Sequence, residues 1–137
     1  MTLSGGSAAF ACERAGEMLE AIASNSVATL TSILQSGEDP NCTGKDDDTM
    51  LGAAVKNRNV PMIEILLKYK ADVNQTDGAR SPLYLAASAD CAQCADILIS
   101  AGGKFIADED QIQNLRKYSH IKNSVYWNRI INPEEGN

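Results

Sequence analysis

Ala54-Val55, then Ile63, Leu66-Leu67 and finally Asp72-Val73-Asn74 reproduce, 33 positions on, a pattern already present at Ala21-Ile22, Leu30, Ile33-Leu34 and Asp39-Pro40-Asn41. The register runs without a gap from 21 to 54, from 33 to 66 and from 41 to 74, with apolar and polar classes recurring together. A unit of this length repeated at a fixed interval marks a solenoid, whose units pack on their neighbours and whose usual work is binding other proteins.

A third copy follows 32 residues on, with Leu51 matched by Leu83, Ala54-Val55 by Ala86-Ala87 and Leu66-Leu67 by Leu98-Ile99. The lost residue falls between Asn74 and Ser81, where Asp77-Gly78 signals a turn that can shorten without disturbing a helix. Inside the second copy, Leu51, Ala54 and Val55 share one face of a short helix ending near Asn57. Asn59 is placed to cap the next helix, Pro61 suits its first turn, and Met62, Ile63, Leu66 and Leu67 form its apolar stripe. Two such helices cannot bury their faces alone, so stacking must complete the core. Recurring Ala21, Ala53, Ala54, Ala86 and Ala87 let the first helices of adjacent units approach closely.

Ser81-Pro82-Leu83-Tyr84-Leu85-Ala86-Ala87 resembles the Thr-Pro-Leu-His-x-Ala-Ala opening of an ankyrin unit. Ala71-Asp72-Val73-Asn74 and Gly37-Glu38-Asp39-Pro40-Asn41 resemble its Gly-Ala-Asp-Val-Asn ending. The resemblance to the ankyrin repeat family covers about residues 17–110. It implies an all-α solenoid of stacked helix-turn-helix units with hairpin-like loops. The expected organisation is an N-terminal tail or helix extension over 1–12 and repeats over about 13–45, 46–78 and 79–110. A helical C-terminal cap and tail follow over 111–137. Departures from the pattern are specific. Gly52 and Tyr84 replace the motif histidine, and Asn25, Arg58 and Asp90 replace the glycine between helices. Lys70 replaces the closing glycine, and Lys104-Phe105-Ile106 the last Asp-Val-Asn. Arg58 tolerates left-handed backbone poorly, so the second unit is expected to turn differently.

With 137 residues and 44% apolar content, the chain suits one domain with a buried core. Its apolar runs are too short for a membrane span, and residues 1–7 lack the basic and apolar regions of a secretory leader. Cys12, Cys42, Cys91 and Cys94 read as reduced thiols, which places the protein in the cytoplasm or another reducing intracellular compartment. A net charge of −6 argues against nucleic-acid binding. The charge is uneven: Arg116, Lys117, Lys122 and Arg129 against Glu134 and Glu135 leave +2 on 111–137 and −8 on 1–110.

No catalytic constellation, phosphate loop or cofactor motif is present in the sequence, and the protein reads as a non-enzyme needing no cofactor or metal. Cys91-Ala92-Gln93-Cys94 has the spacing of a zinc or redox pair, but a second ligand pair is missing and no strand precedes it. Buried small hydrophobes are the preferred reading, with a redox or zinc protein the minor one. The family resemblance directs partners to the hairpin tips and the concave face of the first helices. The tips are then Lys45-Asp46-Asp47-Asp48, Asp77-Gly78-Ala79-Arg80 and Asp108-Glu109-Asp110. The expected partner site comprises Asp46, Asp47, Asp48, Arg80, Asp108 and Glu109, extended inward by Lys56, Asn57 and Ser88. Its acidic character would steer a protein with a basic surface.

The function expected is an adaptor, scaffold or inhibitor, monomeric alone or part of a hetero-complex. The alternative is a structural or accessory subunit of a larger assembly, docked through its C-terminal tail with Tyr126 and Trp127 as anchors. The same aromatics, with Ile112, Leu115, Ile121, Val125 and Ile130, could instead form one or two helices covering the last repeat. Asn41 and Asn74 are expected to bond the backbone of adjacent loops. The resemblance also allows their hydroxylation.

Overall fold

The computed structural model of the protein describes residues 12–44, 48–78 and 80–132. Among these, α1 (Ala15–Ala23) pairs with α2 (Val27–Gln35), α3 (Met50–Lys56) with α4 (Val60–Lys68), and α5 (Pro82–Ser88) with α6 (Ala92–Ser100). The first helices α1, α3 and α5 pack in one row, and the second helices α2, α4 and α6 in another. Backbone bridges at Thr43–Thr49 and Asp77–Arg80 close the loops between units. The second closes more tightly, as the deletion before Ser81 requires. Of the expected N-terminal extension over 1–12 and C-terminal cap and tail over 111–137, residues 1–11 and 133–137 lie outside these residues, as do Lys45, Asp46, Asp47 and Ala79.

The repeat is visible in the backbone angles. Asn25, Arg58 and Asp90 have φ of 60°, 55° and 54°, so each helix pair turns through the same left-handed residue. The expected departure at Arg58 does not occur: the neighbours of that turn impose one geometry regardless of the side chain. Gly37, Lys70 and Gly102 form a second such series after α2, α4 and α6, at 103°, 76° and 94°. Helix starts follow capping chemistry. Thr49 Oγ1 accepts from Gly52 N at 2.8 Å, Asn59 Oδ1 from Met62 N at 3.3 Å, and Ser81 Oγ from Tyr84 N at 3.1 Å.

Met18, Ile22, Leu30, Ile33, Met50, Leu51, Met62, Ile63, Leu66 and Leu98 are fully buried between the two rows. Ala54, Ala86 and Ala87 are buried as well. Gly52 shows how close the stack is: a Cβ there would sit 3.2 Å from Leu85 Cδ1 of the next unit and 2.5 Å from Thr49 Oγ1. At the outer side of α1 and α2, Glu17, Glu20, Thr29 and Ser32 face solvent, the polar cover a terminal unit needs.

Two asparagines lace the loops. Asn41 Oδ1 accepts from Asp72 N at 2.6 Å and its amide donates to Lys70 O at 3.5 Å. One unit on, Asn74 Oδ1 accepts from Lys104 N at 2.8 Å and its amide donates to Gly102 O at 3.3 Å. The side chains thus bond the backbone of the following loop, as expected from their positions.

Three short helices cover the third repeat: α7 (Glu109–Leu115), α8 (Ser119–Lys122) and α9 (Val125–Ile131). Leu115, Ile121, Trp127 and Ile131 are buried in this cap. Its polar ties reach back to α5 and α6. Trp127 Nε1 donates to Asp90 Oδ1 at 2.9 Å, His120 Nε2 to Ala87 O at 2.9 Å, and Tyr126 Oη to Asp96 Oδ1 at 2.7 Å.

The cysteines correct the reading of four reduced thiols. Cys12–Cys42 and Cys91–Cys94 are disulfides, with Cα atoms 5.7 and 5.2 Å apart. Folding returns the loop after α2 to the start of α1, which brings together two residues 30 apart in sequence. Cys91 and Cys94 occupy the N-cap and the third position of α6, so one turn of helix aligns them. Cys42, Cys91 and Cys94 are nevertheless buried as small apolar residues. The argument for a reducing compartment loses its premise. No helix among the described residues is long and apolar enough to cross a membrane.

Candidate interaction surface

Long helical side chains point toward their helix N-terminus, so Lys56, at the end of α3, extends back along the concave row toward the loop tips. Its Nζ lies 2.6 Å from Asp77 Oδ2 and 3.8 Å from Asp48 Oδ1. Arg80 Nη2 approaches the same Asp77 oxygen at 3.5 Å. The Asp77 side chain is only 6% exposed, whereas those of Lys56, Arg80 and Asp48 are 39%, 38% and 46% exposed. One inward carboxylate therefore holds two half-exposed cations, and a second carboxylate sits at the rim. Asp48, Lys56, Asp77 and Arg80 thus form an edge that presents both signs of charge.

Asp48, Lys56 and Arg80 are thus brought together. Asp77, which organises them, was not in the expected site. Its signal was the Asp-Gly turn, which marks geometry and does not reveal burial. Asn57 is the exposed C-cap of α3 and lines an open groove with Ala23, Asn25 and Gln93 at the helix-turn end of the stack. Ser88 ends α5, half-buried.

Asp108-Glu109-Asp110 is not a hairpin tip, and this corrects its reading as the third one. Asp108 Oδ1 accepts from Gln111 N at 2.8 Å and Gln111 Oε1 from Asp108 N at 3.0 Å, a capping box that starts α7. Glu109 accepts from Gln113 Nε2 at 3.0 Å along the same helix. The anchors expected in the tail face the repeats: Trp127 is 2% exposed. Burial, and then the hydrogen bond from its hydroxyl to Asp96, push the Tyr126 phenol above its ordinary range. Burial likewise raises Tyr84, whose hydroxyl donates to Gln111 O at 3.4 Å in place of any contact from the motif histidine.

A family model for ankyrin repeats, in three copies, matches residues 18–110. The chain belongs to the ankyrin repeat family, whose repeats are generic protein–protein interaction modules. In three dimensions it is similar to the crystal structure of the human ASB11 ankyrin repeat domain, with a TM-score of 0.58 and 26% sequence identity. That match covers 64% of this chain and 40% of the other, so the chain spans well under two thirds of its relative's length.

Proposed function

We propose that this protein is a non-catalytic adaptor, scaffold or inhibitor that receives a protein partner on the edge formed by the first two loop tips and the ends of α3 and α5. The observation that carries the reading is the Asp77 cluster, in which one buried carboxylate holds Lys56 and Arg80 in place, with Lys56 also 3.8 Å from Asp48, so these side chains need little further ordering when a partner arrives. Asp46, Asp47 and Asp48 give the edge an acidic rim, and a basic partner surface is its complement. Lys56, Asn57 and Ser88 extend the contact inward. Asp108 and Glu109 serve α7 first and lie at the margin of the proposal.

The test is the affinity of the full chain for its partner from native extract, before and after Asp46→Lys, Asp47→Lys and Asp48→Lys together. The affinity is expected to fall by about tenfold or more at low salt, with a shallower salt dependence. Equal affinity at low salt would remove the acidic rim from the interface.

A further inference from the structure

We propose a second docking surface on the outward side of the C-terminal cap, built to take an acidic peptide segment that carries an apolar side chain. Between Gln111 and Asn132 the sequence holds Arg116, Lys117, Lys122 and Arg129 and not one Asp or Glu, in a chain whose net charge is −6. Two open grooves meet there at Arg129. One, of about 450 Å³, is lined by Lys122, Val125, Asn128 and Arg129. The other, of about 470 Å³, lies between the third repeat and α9 and is lined by Ile99, Phe105, Ile130 and Lys104.

No carboxylate among the described residues lines either groove. Lys104, Lys122 and Arg129 have no ion-pair partner among the described residues, in contrast to Lys56 and Arg80 on the hairpin edge. Apolar surface accompanies the charge: Val125 is 68% and Ile99 44% exposed, among the most open large hydrophobic side chains described. Cations with no ion-pair partner among the described residues, beside an apolar channel, complement a segment in which Asp or Glu flanks a leucine-like residue. A concave site suits inserted side chains better than a flat lipid surface, which favours a convex amphipathic face. The surface is separate from the hairpin edge, and the proposal does not rest on that edge binding anything.

The experiment selects a phage-displayed library of random dodecapeptides on the immobilised full chain and measures synthetic copies of the winners by fluorescence anisotropy. The expected result is a class rich in Asp and Glu next to aliphatic residues. Its affinity should drop about tenfold or more in the Lys122→Glu/Arg129→Glu variant and hold in the Asp46→Lys/Asp47→Lys/Asp48→Lys variant. Both altered cap residues are exposed, and circular dichroism checks that the fold persists; Val125→Ser gives a second, charge-neutral variant expected to weaken the same class. Failure to recover an acidic class, or equal affinity in the cap variants, would overturn the proposal. Salt-sensitive binding of the chain to phosphatidylserine vesicles, or self-association in sedimentation, abolished by the cap charge reversal in the absence of peptide binding, would also overturn it in favour of a lipid or a second copy.

Discussion

Arg58 holds a φ of 55° that a side chain with a Cβ adopts at a cost of about 1–2 kcal/mol. The turn it occupies is set by the helices on either side, and Asn25 and Asp90 meet the same demand with residues better suited to it. Replacing Arg58 by Gly is expected to stabilise the protein by about 0.5–1 kcal/mol, since the relief of strain exceeds the added flexibility of the unfolded chain. The urea midpoint would rise with an unchanged slope; a fall would mean that the arginine side chain contributes more than its backbone costs. Tyr126 gives a second prediction at this scale. Its phenol is raised in the fold above an ordinary value near 10, so the folded chain keeps the proton that the unfolded chain releases. The associated stability is full below pH 10 and is lost as pH climbs beyond it. Tyr126→Phe should flatten that alkaline decline in thermal unfolding while costing about 1 kcal/mol at pH 7.

The loops after α2 and α4 owe their order to asparagines that bond one unit ahead. Asn74→Ala would hand the exposed Lys104 amide and Gly102 carbonyl over to water, at a cost of about 0.5–1.5 kcal/mol. Faster hydrogen exchange at Lys104, with the core of α3 and α4 unaffected, is the expected signature; unchanged exchange there would contradict the lacing. The first unit is held by a different device. Cys12–Cys42 closes a loop with a sequence separation of 30, which in a chain-entropy picture contributes about 3–4 kcal/mol. Cys12→Ser should lower the urea midpoint accordingly, and an unchanged midpoint would show the bridge to be dispensable.

These elements differ in how plainly the sequence announces them. The helices, their caps at Asn59 and Pro61 and the asparagine lacing follow from a period that local chemistry obeys. Cys12 and Cys42 become neighbours only because the loop after α2 returns to the start of α1, which no spacing rule records. Asp108 and Gln111 have the spacing of a capping box, at a position where the repeat period also calls for a third tip. Asp77 was visible as a turn residue, while its role as the buried hub depends on Lys56 reaching back from a different helix.

Across the whole molecule, charge is partitioned along the stack. The first units and their tips are acidic, the cap is basic, and the last repeat is bound to that cap through Asp90, Asp96 and Ala87. Asp90 links two roles, taking the left-handed turn of the third unit and accepting the Trp127 indole. Generic stacking therefore accounts for the two rows of helices, while the Asp77 cluster between the second and third units and the basic cap are the features particular to this chain. The central claim is that the partner reads the acidic edge organised by Asp77. Crosslinking the full chain to its partner in native extract with a lysine-reactive reagent, followed by mass spectrometric mapping, tests it most directly. The account predicts partner adducts at Lys45 and Lys56; adducts confined to Lys104, Lys117 and Lys122 would contradict it.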